Sequence, residues 1–207
     1  FWTAPEPEDI YHIPTGLKLS FDGMMDMVAG SRLVFVGEAH TNVHAHRVQF
    51  EIIREMERRF PGRIAIGMEM FRLPQQEVLD RWTAGELSEV EFLKKSRWYE
   101  NWHSDFAYYR EILNFARDRG IDVVALNPPR DIQRQVGMSH GSEMSSELAD
   151  GLPETDSSDR YQREVLAAIF SGHEGGRKMF DPFLNIQLLW EETMASRIVE
   201  YLGSEGG

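Results

Sequence analysis

Three short apolar runs, each closed by polar residues and separated by helical stretches, constrain this chain more than any other feature. They are Arg32-Leu-Val-Phe-Val36, Arg63-Ile-Ala-Ile-Gly-Met68 and Ile121-Asp-Val-Val-Ala-Leu126. Runs that are continuous rather than alternating suit strands buried on both faces, as in a parallel sheet. After the first run, Thr41 or Asn42 is placed to cap a helix to about Arg59. Ala45, Val48, Ile52, Ile53, Met56 and Phe60 keep helical spacing there, and Pro61-Gly62 stops it. Helices are predicted near Pro74–Ala84 and Ser88–Arg97, and from Ser104 to Arg119 with Gly120 as its C-terminal stop. Beyond the third run the pattern is helical, over Tyr161–His173 and from Asp181-Pro182 to about Leu202. Strand, helix, strand, helix, strand predicts an α/β fold: a parallel sheet flanked by helices, with a largely helical insertion and C-terminal helical part.

Residues 1–30, proline-rich at their start, read as an extended arm and lead-in, and 31–207 as a single α/β domain. Gly137–Ser158 is rich in Gly, Ser, Glu and Asp and reads as a mobile insertion. With 22 Lys+Arg against 34 Asp+Glu the net charge is −12, which argues against a nucleic-acid partner. The absence of cysteine excludes a disulfide framework, a zinc finger and a thiol nucleophile. No stretch approaches the ~20 apolar residues of a membrane span. The chain opens on Phe1 rather than Met, so any leader or lipid-anchor cysteine would lie outside the given residues. There is no Gly-x-Gly-x-x-Gly, no P-loop and no Gly-x-Ser-x-Gly elbow, which argues against dinucleotide enzymes, NTPases and hydrolases of the α/β-hydrolase kind.

In parallel sheets, ligands bind outside the carboxyl ends of the strands. Here those ends carry Gly37-Glu-Ala-His40, Glu69-Met-Phe71 and Asn127-Pro-Pro-Arg130. Glu38 and His40 form a carboxylate–imidazole pair fit for acid–base work or metal ligation, with capping in a surface loop as the bland alternative. Glu69 is a carboxylate at a strand end, read as a site residue or an arginine partner. If the following helix is regular, His44 and His46 point about 200° apart, so at most one joins the site, and His44 is favoured. In the last helix Phe183, Leu184, Met194, Ala195, Ile198 and Leu202 define an apolar face. Gln187 and Glu191 fall in the middle of that face, and Glu192 falls opposite. Polar groups in an apolar stripe line a pocket or bond to backbone. Arg97–Tyr109 is strongly aromatic, and Tyr109 lies on the helix's apolar face. Tyr99, Trp102, His103 and Tyr108 are less clearly placed, and pack in a core or form a wall for a flat macrocycle.

Gly37-Glu-Ala-His40 with Asn42 and His44, Gly67-Met-Glu-Met-Phe71, Gln75-Gln76, Leu79-Asp80, Leu126-Asn-Pro-Pro-Arg130, His173, Gln187 and Trp190-Glu-Glu-Thr-Met-Ala195 occur in this order. Together they resemble the ChaN-like haem-binding lipoprotein family, related to the erythromycin-esterase and Tiki/TraB group. The resemblance implies haem or iron binding in bacterial iron acquisition, on an outer-membrane lipoprotein or in the periplasm. It implies haem held by a tyrosine at an interface between two protomers. The Gly-His strand segment expected to close the family's sheet would follow Gly207. The pocket expected on these grounds comprises Glu38, His40, His44, Glu69, Asn127, Arg130, His173, Gln187 and Glu191. Of the six tyrosines, Tyr109 and Tyr161 are assigned to helix faces, Tyr201 lies near the end and Tyr11 on the arm. That leaves Tyr99 and Tyr108, with His103, as the haem-binding candidates. A metal ion at His40 and Glu69 is a further expectation. The rival classes are a hydrolase using Glu38, His40 and Glu69, and a structural envelope protein with a vestigial site.

Overall fold

A computed structural model describes residues 9–138, 155–170 and 180–204, which fall into two compact units. Phe1–Ile64 with Ser104–Ile121 make the first, and Ala65–His103 with Asp122–Gly207 the second. The fold is mixed α/β, with a small parallel sheet flanked by helices.

In the first unit, β1 (Ile10–His12) and β2 (Leu17–Leu19) pair as an antiparallel hairpin. Thr15 and Gly16 N–H groups donate to the His12 carbonyl, and Gly16 takes φ 68°, a left-handed turn conformation that favours glycine. Ser20 caps α1 (Phe21–Val28) by accepting from the Gly23 N–H. A hairpin and a helix therefore occupy part of the segment read as an extended arm. Asn42 caps α2 (Val43–Arg59), its side chain accepting from His44 and Ala45 N–H. Arg59 ties α2 to Asp26 of α1 at 2.7 Å.

The first predicted strand, 32–36, is not a strand here. No ladder pairs with it among the described residues, and Leu33 and Phe35 are 42% and 80% exposed. The Val36 carbonyl instead accepts from the Gln49 side chain at 3.2 Å. The chain returns to this unit at Ser104. Asp105, rather than Ser104, caps a 3₁₀ turn (Phe106–Tyr108) through the Ala107 N–H. Gly120 at φ 65° ends a helix over Arg110–Arg119 as expected.

In the second unit, β3 (Ala65–Arg72) and β4 (Asp122–Asn127) pair in parallel. Met68 pairs with Ala125 and Arg72 with Asn127, so Glu69, Met70 and Phe71 bulge opposite Leu126 alone. A Cβ on Gly67 would meet Leu126 Cδ1 at 3.0 Å, so that position is tight for any side chain. After a 3₁₀ turn, α3 (Gln76–Thr83) lies against β4. The Gln76 side-chain amide acts there as a surrogate strand, donating to the Val123 carbonyl at 2.9 Å and accepting from the Ala125 N–H at 2.8 Å. α4 (Glu89–Lys95) starts with a Ser88/Glu91 capping box, and α5 (Trp98–Asn101) follows. Phe71, Trp82, Phe92 and Trp98 are fully buried and in ring contact, with Trp82–Phe92 centroids 4.5 Å apart. With α6 assigned to Arg110–Arg119, the remaining helices are α7 (Arg130–Met138), α8 (Arg160–Phe170) and α9 (Phe180–Ser204). Gly137 lets α7 approach α9, because a Cβ there would stand 2.9 Å from Ile186 Cδ1. The expected insertion lies largely outside the described residues.

Candidate functional site

Each unit holds a polar group built on the motifs of the sequence. In the first, the loop before α2 carries Glu38, whose side chain is 4% exposed, and His40, 48% exposed. Glu38 Oε1 lies 2.8 Å from His40 Nδ1 and accepts from the Tyr109 hydroxyl at 2.9 Å. His46, one turn into α2, is buried. Its Nε2 lies 3.1 Å from the His40 carbonyl oxygen and 3.4 Å from Glu38 Oε2. The shorter contact is the hydrogen bond. Glu38 Oε2, sealed from solvent, makes none among the described residues, and the His46 ring faces it. His46 Nδ1 meets Gln49 Oε1 at 3.2 Å, and the Gln49 amide donates to the Val36 carbonyl. The loop Val36–His40 is thus held to α2 through two side chains one turn apart.

His46 also organises the aromatics. Tyr108 stacks on its ring at 5.2 Å and 22°, and Tyr109 meets it edge-on at 4.7 Å. Tyr109 is fully buried, whereas Tyr108 is half-buried and its hydroxyl makes no hydrogen bond among the described residues. The sequence favours His44 over His46, and the structure does the reverse. His44 is exposed at the start of α2, and its backbone N–H serves the Asn42 cap. The usable signal is Gln49 three residues after His46, which puts two hydrogen-bonding side chains on one helix face.

In the second unit, Glu69 sits inside β3 rather than at its end, half-buried in the bulge. Asn127 is buried, and its side-chain N–H donates to the Glu69 carbonyl. Asn127 Oδ1 is inaccessible and has no partner among the described residues. Arg72, which the sequence motifs do not single out, ends β3 half-buried. It donates from Nη1 to the Pro128 carbonyl at 2.8 Å and to Gln133 Oε1 at 2.9 Å. Burial and the nearby charge of Arg130 hold its guanidinium below the ordinary arginine range. Arg130, exposed at the start of α7, donates to the Glu100 carbonyl at 3.1 Å.

Tyr99 is 59% exposed, and His103 is exposed. His173 lies outside the described residues. The expected phase of α9 is wrong. Leu184, Leu188, Leu189 and Thr193 form its buried face, Gln187 and Glu192 are half-buried, and Glu191 is exposed. Apolar residues surround much of this helix, so their positions do not define one stripe. Glu191 bonds the Gln162 amide of α8, and partial desolvation pushes its carboxyl up against that bond.

Within the first unit, a carboxylate orienting an imidazole suits proton transfer or ligand positioning, and a phenol oxygen stands on a rigid ring platform. Within the second, two guanidinium groups at the carboxyl end of the strands suit an anion.

No curated protein matches this sequence significantly. Among solved structures, the chain is similar to one titled "Cofacial heme binding to ChaN of Campylobacter jejuni". The TM-score is 0.74 at 18% identity, over 94% of this chain and 76% of that one. That likeness carries the fold. A family profile described as "Haem-binding uptake, Tiki superfamily, ChaN" matches residues 24–207, and the chain belongs to this family.

Proposed function

We propose that this protein binds haem for bacterial iron acquisition, with Tyr108 as the oxygen ligand of ferric iron. Family membership and the haem named for the Campylobacter protein support the ligand. The observation that carries the residue is the state of the tyrosines. Tyr109 is bound to Glu38, Tyr11 to Asp9 and Tyr201 to Asp122, while Tyr161 is 80% exposed. Tyr108 alone combines a half-buried ring, fixed against His46, with a hydroxyl that has no hydrogen bond among the described residues. Phenolate oxygen is a hard donor suited to ferric iron, so the donor fits the group. Tyr99, more exposed and without a ring platform, is the second choice, with His103 of the same unit as its candidate partner to the haem.

One protomer's tyrosine leaves a face of a flat porphyrin to be covered. We read the cover as a second copy, so that haem sits near a two-fold interface. No helix among the described residues is long and apolar enough to cross a membrane. An envelope location through a lipid anchor, as in family lipoproteins, accords with this reading. Titration with haemin followed by absorbance tests it. The expected result is saturation at a fixed stoichiometry, with sedimentation shifting toward a dimer. A linear, unsaturable rise would contradict it.

The Glu38–His40 pair at 2.8 Å favours one second reading, a hydrolase using the oriented imidazole as base. Turnover of an activated ester, lost in His40→Ala, would support that reading, and no turnover above buffer would remove it.

A further inference from the structure

Several arginines of this acidic protein sit on carboxylates. Arg54, Arg58, Arg81 and Arg97 each pair with a glutamate a few residues away. Arg72 and Arg130 do not. Arg72 spends Nη1 on the Pro128 carbonyl and the Gln133 amide oxygen, and Arg130 spends Nη1 on the Glu100 carbonyl. All three acceptors are neutral, and neither arginine has an ion pair among the described residues. The nearby carboxylates are otherwise placed. Glu100 is bound by Arg97, which holds it below the usual carboxylate range with help from Arg130, and Asp131 is exposed in the first turn of α7.

The arrangement is fixed by the fold of the second unit. Arg72 ends β3 and pairs in register with Asn127, the last residue of β4, and Arg130 follows three residues later. Both guanidinium groups therefore belong to the carboxyl end of the parallel strands, where such sheets bind ligands. A half-buried guanidinium without a counterion, with a second one adding repulsion, costs stability that an anion would return. Nε and Nη2 of Arg72 make no hydrogen bond among the described residues, which leaves part of its planar fork for a ligand.

We propose that Arg72 and Arg130 form a receptor for a ligand carboxylate, and the propionates of haemin serve as its probe. The test compares haemin with haemin dimethyl ester, which lacks both carboxylates, on wild type, Arg72→Gln, Arg130→Gln and the surface control Arg134→Gln. Wild type should bind haemin about tenfold or more tighter than the ester, the worth of a charge-assisted hydrogen bond. Arg72→Gln and Arg130→Gln should lose that preference while keeping ester affinity, and Arg134→Gln should match wild type. Arg130 is exposed, so its variant carries the test if Arg72→Gln folds poorly. Unchanged haemin preference in both variants, or equal loss of haemin and ester, would overturn the receptor. If wild type binds no haemin, succinate is the probe, read by NMR at the Arg72 Nε–H. A saturable shift absent from Arg130→Gln then keeps the carboxylate site while the haem reading falls, and no shift removes both.

Discussion

The buried polar atoms around Glu38 largely answer one another, whereas those at the ends of β3 and β4 do not. In the first unit, carboxylate, phenol, two imidazoles and an amide close into one network, in which Glu38 Oε2 lacks a hydrogen bond among the described residues. In the second, Arg72 and Arg130 have no ion pair and Asn127 Oδ1 no donor among the described residues. A closed network positions what stands on it, here Tyr108. An open one is built for something outside the chain. Substitutions should therefore cost stability in the first group and ligand affinity in the second.

The largest stability effect expected is from Glu38→Ala. It strips His40, His46 and Tyr109 of their common partner in a buried setting, and should cost about 3 kcal/mol by denaturant unfolding. A loss below about 1 kcal/mol would mean that the first network is not closed. Tyr109→Phe removes one donor but leaves Glu38 Oε1 its contact with His40, so about 1 kcal/mol is expected from the same measurement. Arg72→Gln should change stability by less than about 1 kcal/mol, because two hydrogen bonds are lost while desolvation and like-charge repulsion are relieved. A cost matching that of Glu38→Ala would erase the distinction between the two groups.

The smallest effect concerns an exposed cluster on α2. Arg58 and Arg59 hold the Glu55 carboxyl down at about 2, below its ordinary 4.5. A depressed folded value means that its contribution is present above pH 4.5 and is lost as pH falls through about 2. Glu55→Gln should flatten the acid limb of the melting-temperature profile in that window, and high salt should shrink the difference. An unchanged acid limb would show that this surface pairing contributes nothing measurable.

Local signals in the sequence are largely readable. Asn42, Gly120 and the Ser88–Glu91 box mark helix ends because caps depend on neighbouring residues alone. The parallel pairing of β3 with β4 is legible as two apolar runs. The run at 32–36 has the same composition, yet a strand needs a ladder partner, and pairing is not written in the run itself. Arg72 escapes the sequence pattern because β3 continues through a bulge past Met68, where the apolar run ends. Tyr109 is expected to be buried, but its bond to Glu38 spans 71 residues and no local pattern encodes it. The choice of His46 over His44 rests likewise on tertiary burial.

The haem reading stands most directly on one oxygen. Ferric haem complexes of wild type, Tyr109→Phe and Tyr108→Phe should be compared by electron paramagnetic resonance and by the tyrosinate charge-transfer absorbance. A high-spin ferric tyrosinate signature is predicted in wild type and Tyr109→Phe, and its loss in Tyr108→Phe, with the ring packing against His46 preserved. A Tyr108→Phe complex that keeps the tyrosinate signature would contradict this and move the ligand to another tyrosine, with Tyr99 next.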